Sequence, residues 1–374
     1  MNESVVGQEL QLHDAIEVAI SEATKGLGRV NVVTVGKTGV GKSTLINTVF
    51  RGEFAKTGSG KPVTQKIVEI TKPGHPLTII DTKGLEVADY ASTKGELDEL
   101  IRERSGSDDQ NRHIHVAWLC IQEGSDRVED AEVELCNTIA DAGIPVVVVL
   151  TKTRKNKEFS NNAKKLLARA SNIVCVRAIA EHIEELDATL PPTGLDSLID
   201  ATLELLPEAQ KRAYANALST RIRRGLEVKK RQAEKEVNIA AGLAATAGAT
   251  PIPFSDAVVL VPIQVGMLAK IGVTFGMEIS TAALTTIVTS VLGASAATLA
   301  GRAIVSGLLK LIPVVGSVAG GAVAGTTAAL ITKALGNAYV SALFEFCSTH
   351  PGEEIDIALI TSALKDAISS ATKS

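Results

Sequence analysis

Aromatic residues are scarce in this chain: Phe, Trp and Tyr make up 3% of the 374 residues, although hydrophobic residues make up 45%. The apolar residues are therefore mainly Ala, Val, Leu and Ile, and they are unevenly distributed. Residues up to about 236 have the composition of an ordinary α/β protein, whereas residues 238–346 are rich in Ala, Gly, Thr and Val and have few charges. The length allows two or three domains, and this change in composition predicts a boundary between unlike ones.

A CxxC pair and a large net charge are also lacking, and the first residues do not have the pattern of a secretion signal. The four cysteines form no CxxC pair, which is typical of a reducing compartment. The net charge of −4 gives no overall argument for nucleic acid, and we predict no nucleic-acid partner. The first residues, MNESVVGQEL, have no basic segment followed by an apolar run, so we expect no cleaved secretion signal. Together these absences favour a cytoplasmic protein.

A glycine-rich stretch near the N-terminus gives the clearest chemical signal. It matches the pattern GxxxxGK[ST] and reads Gly36-Lys37-Thr38-Gly39-Val40-Gly41-Lys42-Ser43-Thr44. A predicted buried strand precedes it and a predicted helix follows it, which is the context that a phosphate-binding loop requires. The glycines let the backbone N–H groups of the loop point at phosphate oxygens. Lys42 would contact the β- and γ-phosphates and the Ser43 hydroxyl would bind Mg²⁺, so we predict binding of a nucleoside triphosphate with Mg²⁺.

Two further segments complete a predicted phosphate and metal site. Asp81 and Gly84 form a DxxG motif after an apolar strand, where the carboxylate would hold Mg²⁺ through water and the Gly84 N–H would contact the γ-phosphate. Thr64, in Lys61-Pro62-Val63-Thr64-Gln65, would bind Mg²⁺ only while the γ-phosphate is present. Thr57, or no threonine at all, is the alternative. We predict Lys42, Thr64 and Gly84 as catalytic groups, and Ser43, Thr64 and Asp81 as metal ligands.

The motifs together resemble a known group of enzymes. GKTGVGKS, PVTQ, DTKG and a buried strand ending in Thr151-Lys152 are similar to the translation-factor-related GTPases, the broad group of Era, TrmE, septins and immunity-related GTPases, over residues 29–205. The resemblance implies GTP as substrate, GDP as product, Mg²⁺ as cofactor, and Thr151, Lys152 and Ala178 as contacts of the base. The phosphate loop is most similar to that of septins and immunity-related GTPases, many of which pair through their nucleotide faces. This implies a homodimer of the same kind.

Two positions depart from the pattern of that group. Arg154 stands where the base-recognition motif [NT]KxD has its aspartate, and a guanidinium cannot accept a hydrogen bond. An ATPase therefore remains an alternative to a GTPase. Leu85 stands where Ras-like enzymes have a glutamine that positions water. We therefore expect slow hydrolysis that self-association or an activator accelerates, with a nucleotide-dependent scaffold of negligible turnover as the alternative.

Alternating patterns predict an α/β fold, the doubly wound and mainly parallel sheet of a P-loop NTPase, followed by an all-α C-terminal domain. Polar segments at 52–61 and 105–111 are predicted to be mobile loops. Besides the strand before the phosphate loop and the helix after it, the predicted strands are Lys66–Thr71, Leu77–Asp81, Ile114–Ile121, Val146–Leu150 and Asn172–Val176, and the predicted helices are 93–104, 128–142, 160–170 and 194–205. The predicted segments are an amphipathic helix at 1–28, the GTPase domain at 29–206, a charged basic linker helix at 207–237 and an Ala/Gly-rich helical domain at 238–374.

The C-terminal half contains two uncharged stretches, Ile279–Gly301 and Leu311–Thr332, of 23 and 22 residues. Each is long enough to cross a bilayer, although small residues also pack in water-soluble helical bundles. The segments Gly248-Ala249-Thr250-Pro251-Ile252-Pro253 and Val261-Pro262-Ile263, within residues 235–347, resemble the YcjF-type helical domain of unknown function, which is often described as membrane-associated. The resemblance implies a lipid membrane or protein partner for residues 208–347, and a place at the inner face of the membrane as the alternative to free cytoplasm.

Overall fold

The computed structural model describes residues 3–52, 54, 59–62, 67–82, 90–125, 127–184, 187–248, 256–292 and 323–373. The chain forms two compact units, here called the α/β unit and the helical unit. The α/β unit is Gly28–Gly225, and the helical unit combines Met1–Leu27 with Leu226–Ser374. The four segments drawn from the sequence remain a prediction.

A seven-stranded sheet forms the centre of the α/β unit, in the spatial order β2-β3-β4-β1-β5-β6-β7. β2 pairs with β3 and β3 with β4 in antiparallel fashion, and all other neighbours are parallel. The predicted mainly parallel α/β sheet is therefore confirmed. The strands are β1 Val30–Val35, β2 Ser59–Pro62, β3 Ile67–Thr71, β4 Leu77–Thr82, β5 Val116–Gln122, β6 Val146–Thr151 and β7 Asn172–Val176, and a separate hairpin consists of β8 Glu181–Ile183 and β9 Ala188–Leu190.

The helices of the α/β unit alternate with its strands, as the sequence pattern predicts. The predicted helices are present, with ends that differ by a few residues. In chain order, the helices of the molecule begin with α1 Glu3–Lys25 of the helical unit and continue with α2 Lys42–Val49, α3 Tyr90–Ser105, α4 Asp130–Asp141, α5 Lys157–Leu166, α6 Leu195–Leu205, α7 Glu208–Ala217 and α8 Arg223–Gly248.

The central strands are buried on both faces, which explains their nearly continuous runs of Val, Ile and Leu. On one face, β5 and β6 pack with apolar residues of α3, α4 and α5. On the other face, the Trp118 ring of β5 stacks on Phe50 with a centroid distance of 5.4 Å, and its indole N–H donates to Thr202 Oγ1 of α6 at 3.1 Å. Side chains alternate along a strand, so Trp118 points away from its neighbours Ala117 and Leu119.

The segment 52–61, predicted as a loop, contains part of an edge strand. Ser59–Pro62 pairs with β3, in the register Ser59↔Thr71 and Pro62↔Val68. The prediction was wrong for residues 59–61, because the backbone pairing that stabilises this strand comes from β3 and not from any apolar pattern in SGKP. In the second segment, 105–111, a short 3₁₀ turn begins at Gln110. The mobility predicted for both segments stays a prediction.

Residues 207–237, predicted as one basic linker helix, contain two helices with a break between Ala217 and Arg223. At the break the backbone pairs with the end of α2: the Ser219 N–H donates to the Val49 oxygen, and the Arg51 N–H donates to the Ala217 oxygen. These bonds join residues far apart in sequence, so local charge patterning cannot predict them.

In its described residues, the helical unit contains α1, most of α8 and four further helices. α1 packs on α9, α9 on α11, and both α10 and α11 on α12. Ile16, Ala19 and Ala23 of α1 are buried, at helical spacing. The further helices are α9 Asp256–Phe275, α10 Thr281–Leu292, α11 Val323–Thr349 and α12 Ile357–Lys373.

The two uncharged stretches lie partly outside the described residues, which omit 293–322. The first contributes α10, and the second contributes the beginning of α11. Among the residues that the structure describes, no helix combines the length and the apolar character needed to traverse a bilayer.

Candidate nucleotide site

The parallel strands bring most of the predicted site residues to one edge of the sheet. The phosphate loop follows β1, Asp81 lies near the end of β4, Thr151 ends β6, and Ala178 follows β7. The register confirms the alignment, since Thr34 of β1 lies beside Asp81. Ligands of open α/β sheets bind outside the carboxyl ends of the strands, and this is the edge where these residues meet.

The phosphate loop has the backbone that its glycines were predicted to allow. Gly36, Gly39 and Gly41 have φ values of 147°, 77° and 105°, which L side chains rarely adopt. At Gly36 the space is also closed, because a Cβ would lie 2.3 Å from the Cys120 carbonyl oxygen. The loop ends at the N-terminus of α2, where free backbone N–H groups and the helix dipole favour an anion.

Lys42 folds back over this loop and is only 8% exposed. Its ammonium donates to the carbonyl oxygens of Gly36 at 2.6 Å and Lys37 at 3.2 Å. An ammonium has three N–H donors, and these two contacts use two of them. Ser43 and Thr44, the next residues, are exposed at the start of α2. The Lys42 cation is therefore held against the loop, and the Ser43 hydroxyl lies at the exposed start of α2.

Asp81 is oriented by a residue that the sequence analysis did not single out. The Thr34 hydroxyl donates to Asp81 Oδ1 at 2.9 Å across the β1–β4 pair. Burial raises the pKa of Asp81, while Lys42 and the bond from Thr34 oppose that rise. A carboxylate and a hydroxyl, from Asp81 and Ser43, are the oxygen ligands that Mg²⁺ prefers, so the residues present fit this metal.

Thr64 and Gly84 lie outside the described residues, as do the alternative Thr57 and Leu85. The end of β2 and the start of β3, which flank Thr64 in the sequence, nevertheless lie close to Asp81 in the sheet. Pro62, the last residue of β2, pairs with Val68, and Val68 pairs with Asp81. The chain thus leaves β2 and enters β3 at the edge of the sheet where Asp81 lies.

The Thr-Lys pair at the end of β6 is bonded to the phosphate loop. The Thr151 hydroxyl donates to the Val40 oxygen at 2.7 Å, and the Lys152 ammonium donates to the Gly39 oxygen at 2.8 Å. Beside these contacts is a cavity of about 250 Å³. Of the predicted nucleotide contacts, Val40, Gly41, Thr44, Thr151, Lys152 and Ala178 line it, together with Leu45, Val176, Arg177, Ile179, Ala180 and Glu181.

Two buried charged residues bind the segment that follows β6 beside this cavity, and neither was identified from the sequence. Glu123 is 3% exposed and accepts from the Thr153 hydroxyl and the Arg154 backbone N–H, both at 2.5 Å. Arg177 is 6% exposed and donates to the Thr153 oxygen at 2.6 Å. A charged residue directly after a buried strand, as both are, is the signal that could have drawn attention to them.

Arg154, the departure from the base-recognition motif, forms an ion pair with Glu181. Its Nη2 donates to Glu181 Oε1 at 2.6 Å, and its Nε contacts the same oxygen at 3.3 Å. Hydrogen bonding from Arg154 lowers the pKa of Glu181. Glu181, and not Arg154, is among the residues lining the cavity.

Two family models match separate parts of the chain. Residues 31–152 match a family described as 50S ribosome-binding GTPase, and residues 213–372 match a domain of unknown function, DUF697.

The chain is also similar to curated GTPases of bacteria. It is 28% identical to GTPase Era of Stenotrophomonas maltophilia over 184 residues, 48% of this chain and 56% of that protein. It is 30% identical to GTPase Der of Cupriavidus pinatubonensis over 147 residues, 38% of this chain and 31% of that protein. The chain thus spans about a third to just over half of these relatives. A crystal structure of Era with MgGDPNP and a segment of 16S ribosomal RNA shares 21% identity over 48% of this chain and 58% of that one, with a TM-score of 0.31. The chain therefore combines a domain similar to the P-loop GTPases with a region that matches DUF697.

Proposed function

We propose that this protein hydrolyses GTP to GDP and phosphate with the help of Mg²⁺. The observation that carries the proposal is the joining of three separate motifs at one edge: Lys42 on the phosphate loop, Asp81 held by Thr34, and Lys152 bonded to the Gly39 oxygen. In the reaction, water attacks the γ-phosphorus and the bond from that phosphorus to the β–γ bridging oxygen breaks. The electron pair stays on the oxygen of GDP.

Each residue has a defined task in this proposal. Lys42 exchanges a carbonyl contact for phosphate oxygens and offsets the negative charge that develops there. Ser43, and Asp81 through water, would hold Mg²⁺, which when bound would offset charge on the β- and γ-phosphate oxygens. Thr64 is proposed as a further metal ligand and the Gly84 N–H as a γ-phosphate contact. The path of β2 and β3 toward Asp81 supports the assignment of Thr64.

Phosphate release tests the hydrolysis directly. With Mg²⁺ and GTP, we expect the wild-type protein to release phosphate and Lys42→Ala to release none above background. Lys165→Ala, which removes an exposed lysine of α5, is the matched control and should retain the wild-type rate. A wild-type protein that binds GTP but releases no phosphate would support the scaffold alternative instead.

We further propose that hydrolysis is slow in the monomer and faster when two copies pair through their nucleotide faces. Leu85 motivates this, because it cannot position water as a glutamine does. The turnover per protomer should therefore rise with protein concentration. A constant turnover over a wide concentration range would contradict pairing as the source of catalysis.

The nucleotide state is proposed to alter the helical unit. The chain passes from the α/β unit to the helical unit between Gly225 and Leu226, so the two units are directly consecutive in sequence. Hydrogen exchange in residues 226–373 should differ between the GDP-bound protein and the protein bound to a nonhydrolysable GTP analogue. Identical exchange in the two states would exclude this coupling.

Contact with a lipid membrane through residues 208–347 is a proposal that rests on the apolar composition of that region. Flotation with vesicles containing anionic lipid tests it, in each nucleotide state. Protein that stays with the dense fraction in both states contradicts the lipid contact, and with it the proposed place at the inner face of a membrane.

A further inference from the structure

We infer that Glu181 recognises the guanine base, in place of the aspartate that Arg154 replaces in the Thr-Lys-x-Asp motif, and that Arg154 positions the Glu181 carboxylate. The inference rests on the proposed binding of GTP and identifies the residue that selects the base. Guanine presents two adjacent donors, N1–H and the N2 amino group, and a carboxylate accepts from both. Adenine has an acceptor at N1 and no amino group at C2, so it would place a lone pair against the same carboxylate.

The position of Glu181 is the first support. It lines the same cavity as Lys152 and Ala178, the residues predicted to lie at the base. Its segment is fixed at both ends. Arg177 and Thr193 exchange two backbone hydrogen bonds of 3.0 Å before it, and Glu181 itself pairs with Leu190 in the β8–β9 hairpin.

The ion pair with Arg154 is the second support. Both contacts from the guanidinium end on Oε1, and no hydrogen bond to Oε2 is present among the residues that the structure describes. A carboxylate has about four acceptor positions on its two oxygens, so Glu181 keeps capacity for two further donors. The hydrogen bond from Arg154 also lowers the pKa of Glu181, which favours the ionised form of the carboxylate. An ionised acceptor is what the two guanine donors require.

The backbone around Arg154 supports the division of roles. The buried side chains of Glu123 and Arg177 hydrogen-bond to Thr153 and to the Arg154 backbone N–H, and these bonds fix the main chain of the segment. The Arg154 side chain itself is 61% exposed. The guanidinium can therefore remain beside Glu181 without entering the cavity. An arginine that only donates could not accept from N1–H or from the amino group of guanine.

A change of base preference tests the inference. In Glu181→Gln the side-chain amide keeps one acceptor and gains a donor, which clashes with the guanine amino group but matches the C2 carbonyl oxygen of xanthine. We expect GTP binding to weaken by about 10- to 100-fold and XTP binding to strengthen, measured by displacement of a fluorescent nucleotide. Glu103→Gln, in the exposed Glu103–Arg112 pair of the same unit, is the matched control and should leave both affinities unchanged.

Two further variants test the role of Arg154. Arg154→Ala should reduce the ratio of GTP to XTP affinity, and Arg154→Lys should restore part of it, without a matching change in thermal stability. In the background of Glu181→Ala, adding Arg154→Asp returns a carboxylate to the motif position, and we expect it to recover part of the lost preference for GTP.

The outcomes separate the inference from the proposed function. If the wild-type protein binds no nucleoside triphosphate, both are wrong. If it binds GTP but binds ATP equally well, or if Glu181→Gln keeps the wild-type affinities for GTP and XTP, then Glu181 does not select the base and GTP binding still stands.

Discussion

A single buried histidine shows how one protonation site can set the acid sensitivity of this fold. The Asn31 backbone N–H donates to His115 Nδ1 at 3.0 Å, so this nitrogen must be unprotonated in the folded protein. The pKa of His115 is lowered to about 4, mainly by burial; a backbone bond to Gln110 opposes this shift and the neighbouring His113 adds to it. The folded protein therefore holds the neutral imidazole.

We predict that His115 makes the protein lose stability as the pH falls from about 6.5 to 4. In that window the unfolded chain binds a proton that the folded protein excludes, so the free energy of unfolding decreases toward low pH. A shift of one pKa unit corresponds to about 1.4 kcal/mol, so the loss is on the order of 3 kcal/mol. Urea denaturation at pH 7 and pH 4.5 should show a smaller decrease for His115→Asn than for the wild-type protein.

Exposed His182 provides the control for that measurement. His182→Asn should keep the wild-type dependence of stability on pH. Equal pH dependence in His115→Asn and the wild-type protein would show that His115 is not the group responsible.

Gly143 and Gly194 have the same φ angle but differ sharply in the space around their Cα atoms, and the difference shows how closely α6 packs on β7. Gly194, at the start of α6, and Gly143, before β6, both have φ of 78°. A Cβ on Gly143 would meet no atom within 4 Å, whereas a Cβ on Gly194 would lie 1.9 Å from the Cys175 carbonyl oxygen of β7. α6 therefore begins in direct backbone contact with β7.

We predict that Gly194→Ala destabilises the protein much more than Gly143→Ala. The second change costs only left-handed strain, about 1–2 kcal/mol. The first adds overpacking of about 1–3 kcal/mol, because α6 must move away from β7. Urea midpoints of the two variants compare these costs, and equal midpoints would contradict the close contact. Gly194→Ala should also weaken GTP binding, because Thr193 pairs with Arg177 beside the cavity.

The elements that could be predicted from the sequence are those with a distinctive local pattern of residues. Val146–Thr151 is a continuous apolar run, and the phosphate loop has its glycines and lysine at fixed spacing, so both were predictable. β2 was not, because its polar residues become a strand only by pairing with β3. The break after Ala217 likewise depends on a partner at Val49.

The site shows the same limit. The phosphate loop and the departure at Arg154 could both be recognised in the sequence, because each belongs to a contiguous motif. Glu123 and Glu181 belong to no motif, and they lie about thirty residues from Arg154 on either side. Only the parallel arrangement of β5, β6 and β7 brings these side chains together.

At the scale of the whole molecule, each unit has its own buried apolar residues, and the predicted nucleotide contacts that the structure describes all belong to the α/β unit. A ligand that binds only the folded α/β unit stabilises that unit by mass action. Nucleotide binding should therefore act first on the unfolding of residues 28–225.

We predict that Mg²⁺ with GTP raises the temperature at which the α/β unit unfolds. At a free concentration a hundred times the dissociation constant, the stabilisation is about 2.7 kcal/mol. Scanning calorimetry with Mg²⁺ and GTP, compared with Mg²⁺ alone, measures the shift. Lys42→Ala should abolish it, and an equal shift in that variant would place nucleotide binding elsewhere.

Trp118 of β5 packs against Phe50 and α6, and this packing has a practical consequence for measurements of unfolding. The chain contains a single tryptophan, so the indole emission of a sample comes from one known point, deep in the α/β unit. Loosening of the Phe50 stack or loss of the Thr202 bond would move the indole into water and shift its emission to longer wavelength. The intrinsic fluorescence of Trp118 therefore reports on this face of the sheet, and the rate at which the face opens can be measured without attaching a dye.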